Sequence, residues 1–257
     1  MKTICFINLK GGCAKTTTTL NMGYELEKRG NKILLLDNDK QGNLSKAYQC
    51  YDPEGLCSMA KLLGHDWREP EELIKNTPEE YGGIDIVTAN MSLLSATYRL
   101  TGEKEYIQYR KYKDFLEMVR NSYDYCLIDN PPDIAMNVIN ALAAADEVII
   151  PAKIDEWALD GMDILKEQIE EAENINPDIR LLGILITSYK NNDYNNVGVK
   201  WLNEKSPVKI LGKIRYTDKV PESTFFHTPA YAYSPRCGAA QDYKNFVTNY
   251  LKEQEGK

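Results

Sequence analysis

Several absences narrow the field before any motif is considered. No run of apolar residues approaches the ~18 to 20 needed to span a bilayer, and the opening MKTICFINLK is too short an apolar run for a signal peptide. The six cysteines, Cys5, Cys13, Cys50, Cys57, Cys126 and Cys237, form no CxxC pair, so reduced thiols in a cytoplasm are expected rather than a disulfide scaffold. No internal repeat, low-complexity tract or linker rich in Gly, Ser or Pro interrupts the chain, and residues 1–257 are expected to form a single domain. An excess of positive charge is also missing. With 31 Lys and Arg against 38 Asp and Glu, the net charge of −7 argues against a protein that coats nucleic acid with its whole surface.

What is present is enough apolar material for a large core. Chains of this length bury roughly three-quarters of their unfolded surface, and 43% of the residues are apolar. Short apolar runs recur at Ile4–Ile7, Ile33–Leu36, Ile84–Val87, Tyr125–Ile128, Val148–Ile150, Leu181–Ile186 and Val208–Leu211, and read as strands buried on both faces. Between them lie stretches long enough for crossover helices: Lys15–Arg29, Ile134–Ala145, Glu156–Ile175 and Val197–Lys205. The expected fold is α/β, a mostly parallel twisted sheet with helices on both faces.

Charge is polarised along the sequence. From Asp155 to Asp178 there are nine acids against the single base Lys166. From Thr187 to Lys219 there are seven bases, Lys190, Lys200, Lys205, Lys209, Lys213, Arg215 and Lys219, against three acids.

The most informative segment is Ile4-Cys5-Phe6-Ile7-Asn8-Leu9-Lys10-Gly11-Gly12-Cys13-Ala14-Lys15-Thr16-Thr17, which reads as strand, glycine turn and helix start. Glycines let backbone N–H groups approach an anion, and the helix that follows aims its positive end at the same point. Lys15 is placed to reach β- and γ-phosphates, and the Thr16 hydroxyl to ligate Mg²⁺. The ordinary Walker A pattern is not met, because Leu9 and Ala14 stand where its glycines belong. Two lysines, Lys10 and Lys15, flank one loop instead.

This loop resembles that of the deviant Walker A ATPases, the ParA and MinD superfamily of P-loop NTPases, whose pattern is KGGxxKS or KGGxxKT. The resemblance continues through Thr16–Gly23, through Leu34-Leu35-Leu36-Asp37-Asn38-Asp39-Lys40-Gln41-Gly42-Asn43, similar to the second strand and switch I (DxDPQGN), and through Tyr123–Pro132, similar to Walker B and switch II (DTPP). Asn140–Leu142, Ala145–Pro151 and Ala158–Gly161 follow the ParA branch. Beyond Ser188 the match loosens. Lys40 replaces the family's proline, which would loosen switch I, and Asn130 replaces its threonine, where it would keep a polar side chain near the γ-phosphate.

The resemblance implies ATP and Mg²⁺ as cofactors and slow hydrolysis of ATP to ADP and phosphate. Phosphates would be held by Gly11, Gly12, Cys13, Ala14, Lys15, Thr16 and Thr17. The metal would be held by Thr16 and Asp129, with Asp37 in its surroundings, and Asp39 would orient the attacking water. Lys10 is the signature lysine that crosses to the partner's nucleotide, so the expected active form is a homodimer with ATP sandwiched between subunits. Adenine contacts would come from Arg215–Glu222.

Within the superfamily, a ParA-type protein binds nonspecific double-stranded DNA, is stimulated by a ParB-like partner and works on the nucleoid. The basic positions Lys190, Lys200, Lys205, Lys209, Lys213, Arg215 and Lys219 fit that role, although Asn192 stands where a DNA-contacting arginine is frequent. The acidic Asp155–Asp178 segment would offer one docking surface for a basic partner peptide. A first strand beginning at residue 3 leaves no room for an operator-binding domain. The alternatives are a MinD-like protein acting on membrane, or a scaffold that positions a protein machine without DNA. Tyr243, Phe246, Val247, Tyr250 and Leu251 form a stripe better explained by core packing than by lipid. A nitrogenase-type iron–sulfur role is set aside, since no cysteine closely follows switch II.

Overall fold

The computed structural model describes residues 1–102, 108–154 and 167–256. The described strands are β1 (Lys2–Phe6), β2 (Ile33–Asp37), β3 (Ile74–Asn76), β4 (Ile84–Val87), β5 (Tyr125–Asp129), β6 (Glu147–Lys153), β7 (Arg180–Tyr189) and β8 (Ile210–Arg215). They form one sheet in the order β3-β4-β2-β5-β1-β6-β7-β8. All pairs are parallel except β3 with β4, which is antiparallel at one edge.

Alternation within the apolar runs sends side chains to both faces. Ile4, Phe6, Ile33, Leu35, Leu127, Ile149 and Leu185 join one core layer with helix Lys15–Glu27 and the C-terminal helix Gly238–Glu255. Cys5, Ile7, Leu34, Leu36, Cys126, Ile128, Val148 and Ile150 join the other, under helices Ser58–Gly64, Ser92–Gly102, Lys111–Val119 and Met136–Ala144. A strand buried on both faces has no polar side to show, which is why these segments read as unbroken hydrophobic runs.

Two expected elements shift. The strand expected at Val208–Leu211 runs from Ile210 to Arg215, because this edge strand alternates between exposed Lys213 and Arg215 and buried Ile214 and is not uniformly apolar. The helix expected at Val197–Lys205 begins at Asp193, where Asn192 accepts a hydrogen bond from the Asn195 N–H at 2.9 Å and caps it. Residues 167–172 are helical within the expected Glu156–Ile175 element. Residues 155–166, which carry Lys166 and the acids Asp155, Glu156, Asp160 and Asp163, lie outside the described residues, as does the Ala158–Gly161 motif.

The stripe on the C-terminal helix is core. Tyr243, Phe246, Val247 and Tyr250 are buried and Leu251 packs against them. No described helix is long and apolar enough to cross a membrane.

Candidate nucleotide site

The three central strands bring the motifs together. In register, Phe6 at the end of β1 pairs with Asp129 at the end of β5, and Asp129 pairs on its other side with Asp37 at the end of β2. The glycine loop and two carboxylates therefore meet at the carboxyl edge of the sheet, where parallel α/β folds bind ligands.

The loop is tied by the chain's own side chains. The buried Lys15 Nζ donates to Asn8 O at 3.0 Å and to Lys10 O at 3.2 Å. Asn8 pins the strand exit, donating from Nδ2 to Pro151 O at 2.8 Å and accepting from the Lys10 N–H at 2.9 Å. Thr187, on β7, donates to Cys13 O at 3.0 Å and ties the far side of the loop to the sheet. Gly12 and Ala14 both have φ of 70°. For Ala14 that is a strained backbone, adopted where the ordinary Walker pattern has glycine. A Cβ on Gly11 or Gly12 would meet no atom within 4 Å, so both face open space.

That space is a trough of two joined cavities. One, of ≈ 450 Å³, is lined by Gly11, Lys15, Thr16, Asp39, Gln41 and Pro132. The other, of ≈ 410 Å³, is lined by Thr187, Ser188, Tyr216, Thr217, Val220 and Pro221. They share Gly12, Ala14, Thr17 and Thr224. The expected Arg215–Glu222 segment thus borders the second cavity.

The acids divide by environment. Asp37 is buried, and its Oδ2 accepts from both the N–H and the hydroxyl of Ser45 at 2.7 Å. Burial pushes its acid up to about 7, against the pull of Ser45 and with the push of Asp39. Asp129 is buried with no hydrogen-bond partner on either oxygen. Burial and the neighbouring Asp37 hold its acid well above the usual range; the nearby Thr16 hydroxyl and Lys15 only partly oppose this. Asp39 lines the trough, and its Oδ1 accepts from the Gln41 N–H at 2.9 Å.

Two buried carboxylates side by side, one of them orphaned, ask for a cation. Among the described residues no three His, Cys, Asp or Glu side chains converge as a metal cage. A small hard ion that keeps several waters and takes phosphate oxygens suits such a sparse donor set, which is the habit of Mg²⁺.

One expectation is corrected. Asn130 does not line the trough. It is 1% exposed and turns inward, its Nδ2 donating to Phe6 O at 3.0 Å, because the buried end of β1 offers it an acceptor. Switch I is also tied rather than freed at Lys40, whose Nζ lies 3.3 Å from Asp133 Oδ2 in switch II.

The seven basic positions separate. Arg215 holds Asp242 with two bonds of 2.8 Å, Lys209 pairs with Glu253, Lys219 with Glu222 and Lys200 with Glu204. Lys190 instead stacks over Tyr216 at 4.1 Å and Lys213 over Tyr189 at 5.0 Å, both near the end of β7, while Lys205 is exposed at the end of its helix. Sequence reasoning did not find Asn8, Ser45 or Thr187 as supports of the site. Their only signal is proximity in the fold.

A glycine loop at the head of a helix, a lysine folded over it and acids on the adjoining strand ends define a P-loop nucleotide triphosphatase. Residues 1–181 match the family described as the AAA domain. The chromosome-partitioning ATPase Soj of Treponema pallidum is 30% identical over 96% of this chain and 95% of its own. The chromosome partitioning protein ParA of Caulobacter vibrioides is 27% identical, covering 100% and 96%. Among solved structures, cobyrinic acid a,c-diamide synthase from Mycobacterium smegmatis, with bound ATP analogue and magnesium, superposes with a TM-score of 0.85 at 27% identity over 100% of this chain and 97% of that one. The chain belongs to the ParA-type partition ATPases of the ParA/MinD superfamily.

Proposed function

We propose that residues 1–257 act as one ATP-dependent dimerising ATPase for DNA partition, cytoplasmic and nucleoid-associated, that binds nonspecific DNA as an ATP dimer and is stimulated by a ParB-like partner. The observation that carries the catalytic part is Asp129, buried at the end of β5 with no hydrogen-bond partner and next to Thr16 and Lys15, which line the trough. Thr16 and Asp129 would hold Mg²⁺, which would supply neutralisation of the charge that develops on the transferring phosphate.

The chain's own residues supply the rest. Lys15 exchanges its two carbonyl partners for phosphate oxygens, while the amides of Gly11 to Thr17 and the Thr17 hydroxyl cradle the same group. Asp129 and Thr16 hold the metal side, with Asp37 fixed behind them by Ser45. Asp39, anchored through the Gln41 amide, orients the attacking water. Lys10 reaches the nucleotide of the second subunit, so subunit pairing gains affinity only when ATP is present. The cavity bordered by Tyr216, Thr217 and Val220 receives the adenine.

DNA contacts centre on Lys190, Lys213 and Lys205, which are not held by a neighbouring carboxylate in the bonds described above, and less on Lys200, Lys209, Arg215 and Lys219, which are. Phosphate contacts of this kind need charge but no base reading.

Sizing by light scattering with ATP, ADP or no nucleotide, alongside turnover, tests the reading. Wild type is expected to pair only with ATP, Lys10→Ala to lose pairing, and Asp39→Ala to pair but not turn over. Pairing that ignores nucleotide, or normal turnover in Asp39→Ala, overturns it.

A further inference from the structure

A second polar cluster lies beneath the two switch segments, away from the trough. Asn38 sits between Asp37 and Asp39, and Asn130 directly follows Asp129; both side chains are buried, at 0% and 1% exposure. Asn38 Nδ2 donates to Asn130 Oδ1 at 2.7 Å and to Asn137 O at 3.1 Å. Asn38 Oδ1 accepts from the Tyr112 hydroxyl at 2.6 Å and from Asn137 Nδ2 at 3.3 Å, and Asn137 Nδ2 also donates to Asn38 O at 3.0 Å. Asn130 carries the chain of bonds on to Phe6 O at 3.0 Å and Cys5 Sγ at 2.9 Å. The Asn38 N–H completes it, donating to Asp129 O at 2.8 Å.

None of these four side chains lines the phosphate cavity. Packing alone does not call for them, since apolar groups of similar size would fill the space without stripping amides of water. A buried polar network whose members are all satisfied does something packing cannot: it admits one arrangement and penalises the rest. Here the arrangement joins the end of β1, both switches and the helices Lys111–Val119 and Met136–Ala144.

We infer that the Asn38–Asn130 amide pair, buttressed by Tyr112 and Asn137, is a clasp that holds switch I and switch II in one register, making these four positioning residues for hydrolysis. The inference rests on the role given to Asp39 above. Asp39 is the residue next to Asn38, and Asp129 the residue before Asn130, so the clasp sets the distance between the water-orienting acid and the metal-side acid. The same bonds couple the segments in motion. Any displacement of switch II draws Asn38, and with it Asp39, out of place.

The test compares steady-state ATP turnover of wild type, Tyr112→Phe, Asn130→Thr, the double variant and Asp39→Ala, each with its melting temperature. Tyr112→Phe keeps the buried ring and loses only one donor, so it tests the clasp even where Asn130→Thr folds poorly. The expected result is a kcat lowered roughly tenfold or more by misplacement of the acid, with KM for ATP within about twofold of wild type. The double variant is expected to lose no more than the worse single, because both changes open one network. Normal kcat in folded single variants overturns the clasp, as does a loss that merely follows the folded fraction or multiplies across the double variant. Normal turnover in Asp39→Ala overturns instead the role of Asp39 on which the clasp depends, and that result is distinct from the others.

Discussion

Asp129→Asn separates two demands on one side chain by giving them opposite signs. In the folded chain this carboxyl is fully buried, has no hydrogen-bond partner and faces Asp37. It stays uncharged only by keeping a proton that the unfolded chain releases near pH 4. Because its folded value is raised, its contribution to stability is present below the unfolded value and is lost as pH rises. At pH 8 without metal, the amide, similar in shape and never charged, is expected to be more stable than wild type by about 1–3 kcal/mol, the scale of one uncompensated buried polar group. For a chain of this length that is a melting temperature higher by roughly 2–10 °C. The gap should shrink as pH is lowered towards 4. With magnesium and ATP at about 100 times Kd, wild type should gain about 2.7 kcal/mol, and Asp129→Asn little of it. Differential scanning fluorimetry from pH 4.5 to 8.5, with EDTA or with magnesium and ATP, reads both effects. A variant less stable than wild type at pH 8 in EDTA, or one that keeps the magnesium-dependent gain, would refute the reasoning.

Further outcomes follow from the same contacts. Lys15→Ala removes the Nζ bonds to Asn8 O and Lys10 O and the charge facing the trough; ATP affinity by calorimetry should fall by about 1.5–3 kcal/mol, the worth of a charged hydrogen bond. Gly42 has φ of 64°, and a Cβ there would lie 2.5 Å from the Tyr51 ring and 2.7 Å from Ala89 O. Gly42→Ala should therefore cost about 1–3 kcal/mol in chemical denaturation through strain and overpacking and slow turnover through switch I. Lys190→Ala and Lys213→Ala should each lower the salt dependence of DNA binding by about one phosphate contact, whereas Arg215→Ala, whose guanidinium is already held by Asp242, should change it less.

The central strands were legible because each is buried on both faces and so appears as an unbroken apolar run. The edges were not. β8 alternates exposed lysine and arginine with buried Ile214, and β3 is only three residues long. The phosphate loop was legible as a contiguous motif, and the register of β1, β5 and β2 brings its distant members, Lys15, Asp37 and Asp129, to one edge. What could not be read was anything that depends on which way a side chain turns. Asn130 occupies a motif position yet faces the core, and Asn38 fills a variable position yet holds it there. Ser45 and Thr187 support the site from separate elements that only the folded chain brings near. Charge counting found the basic segment but not the ion pairs of Lys209 and Arg215, because Glu253 and Asp242 lie on the C-terminal helix, far along the sequence.

The most direct test of the account is binding to a random-sequence DNA duplex with ATP, with ADP and without nucleotide, across a salt series, for wild type and Lys15→Ala. Binding that requires ATP, weakens steeply with salt and disappears in Lys15→Ala is the predicted result. Equal binding with ADP or without nucleotide would contradict it. So would no binding at all while ATP-dependent dimers still form, and that outcome would instead favour an ATPase that positions a protein machine or acts on membrane.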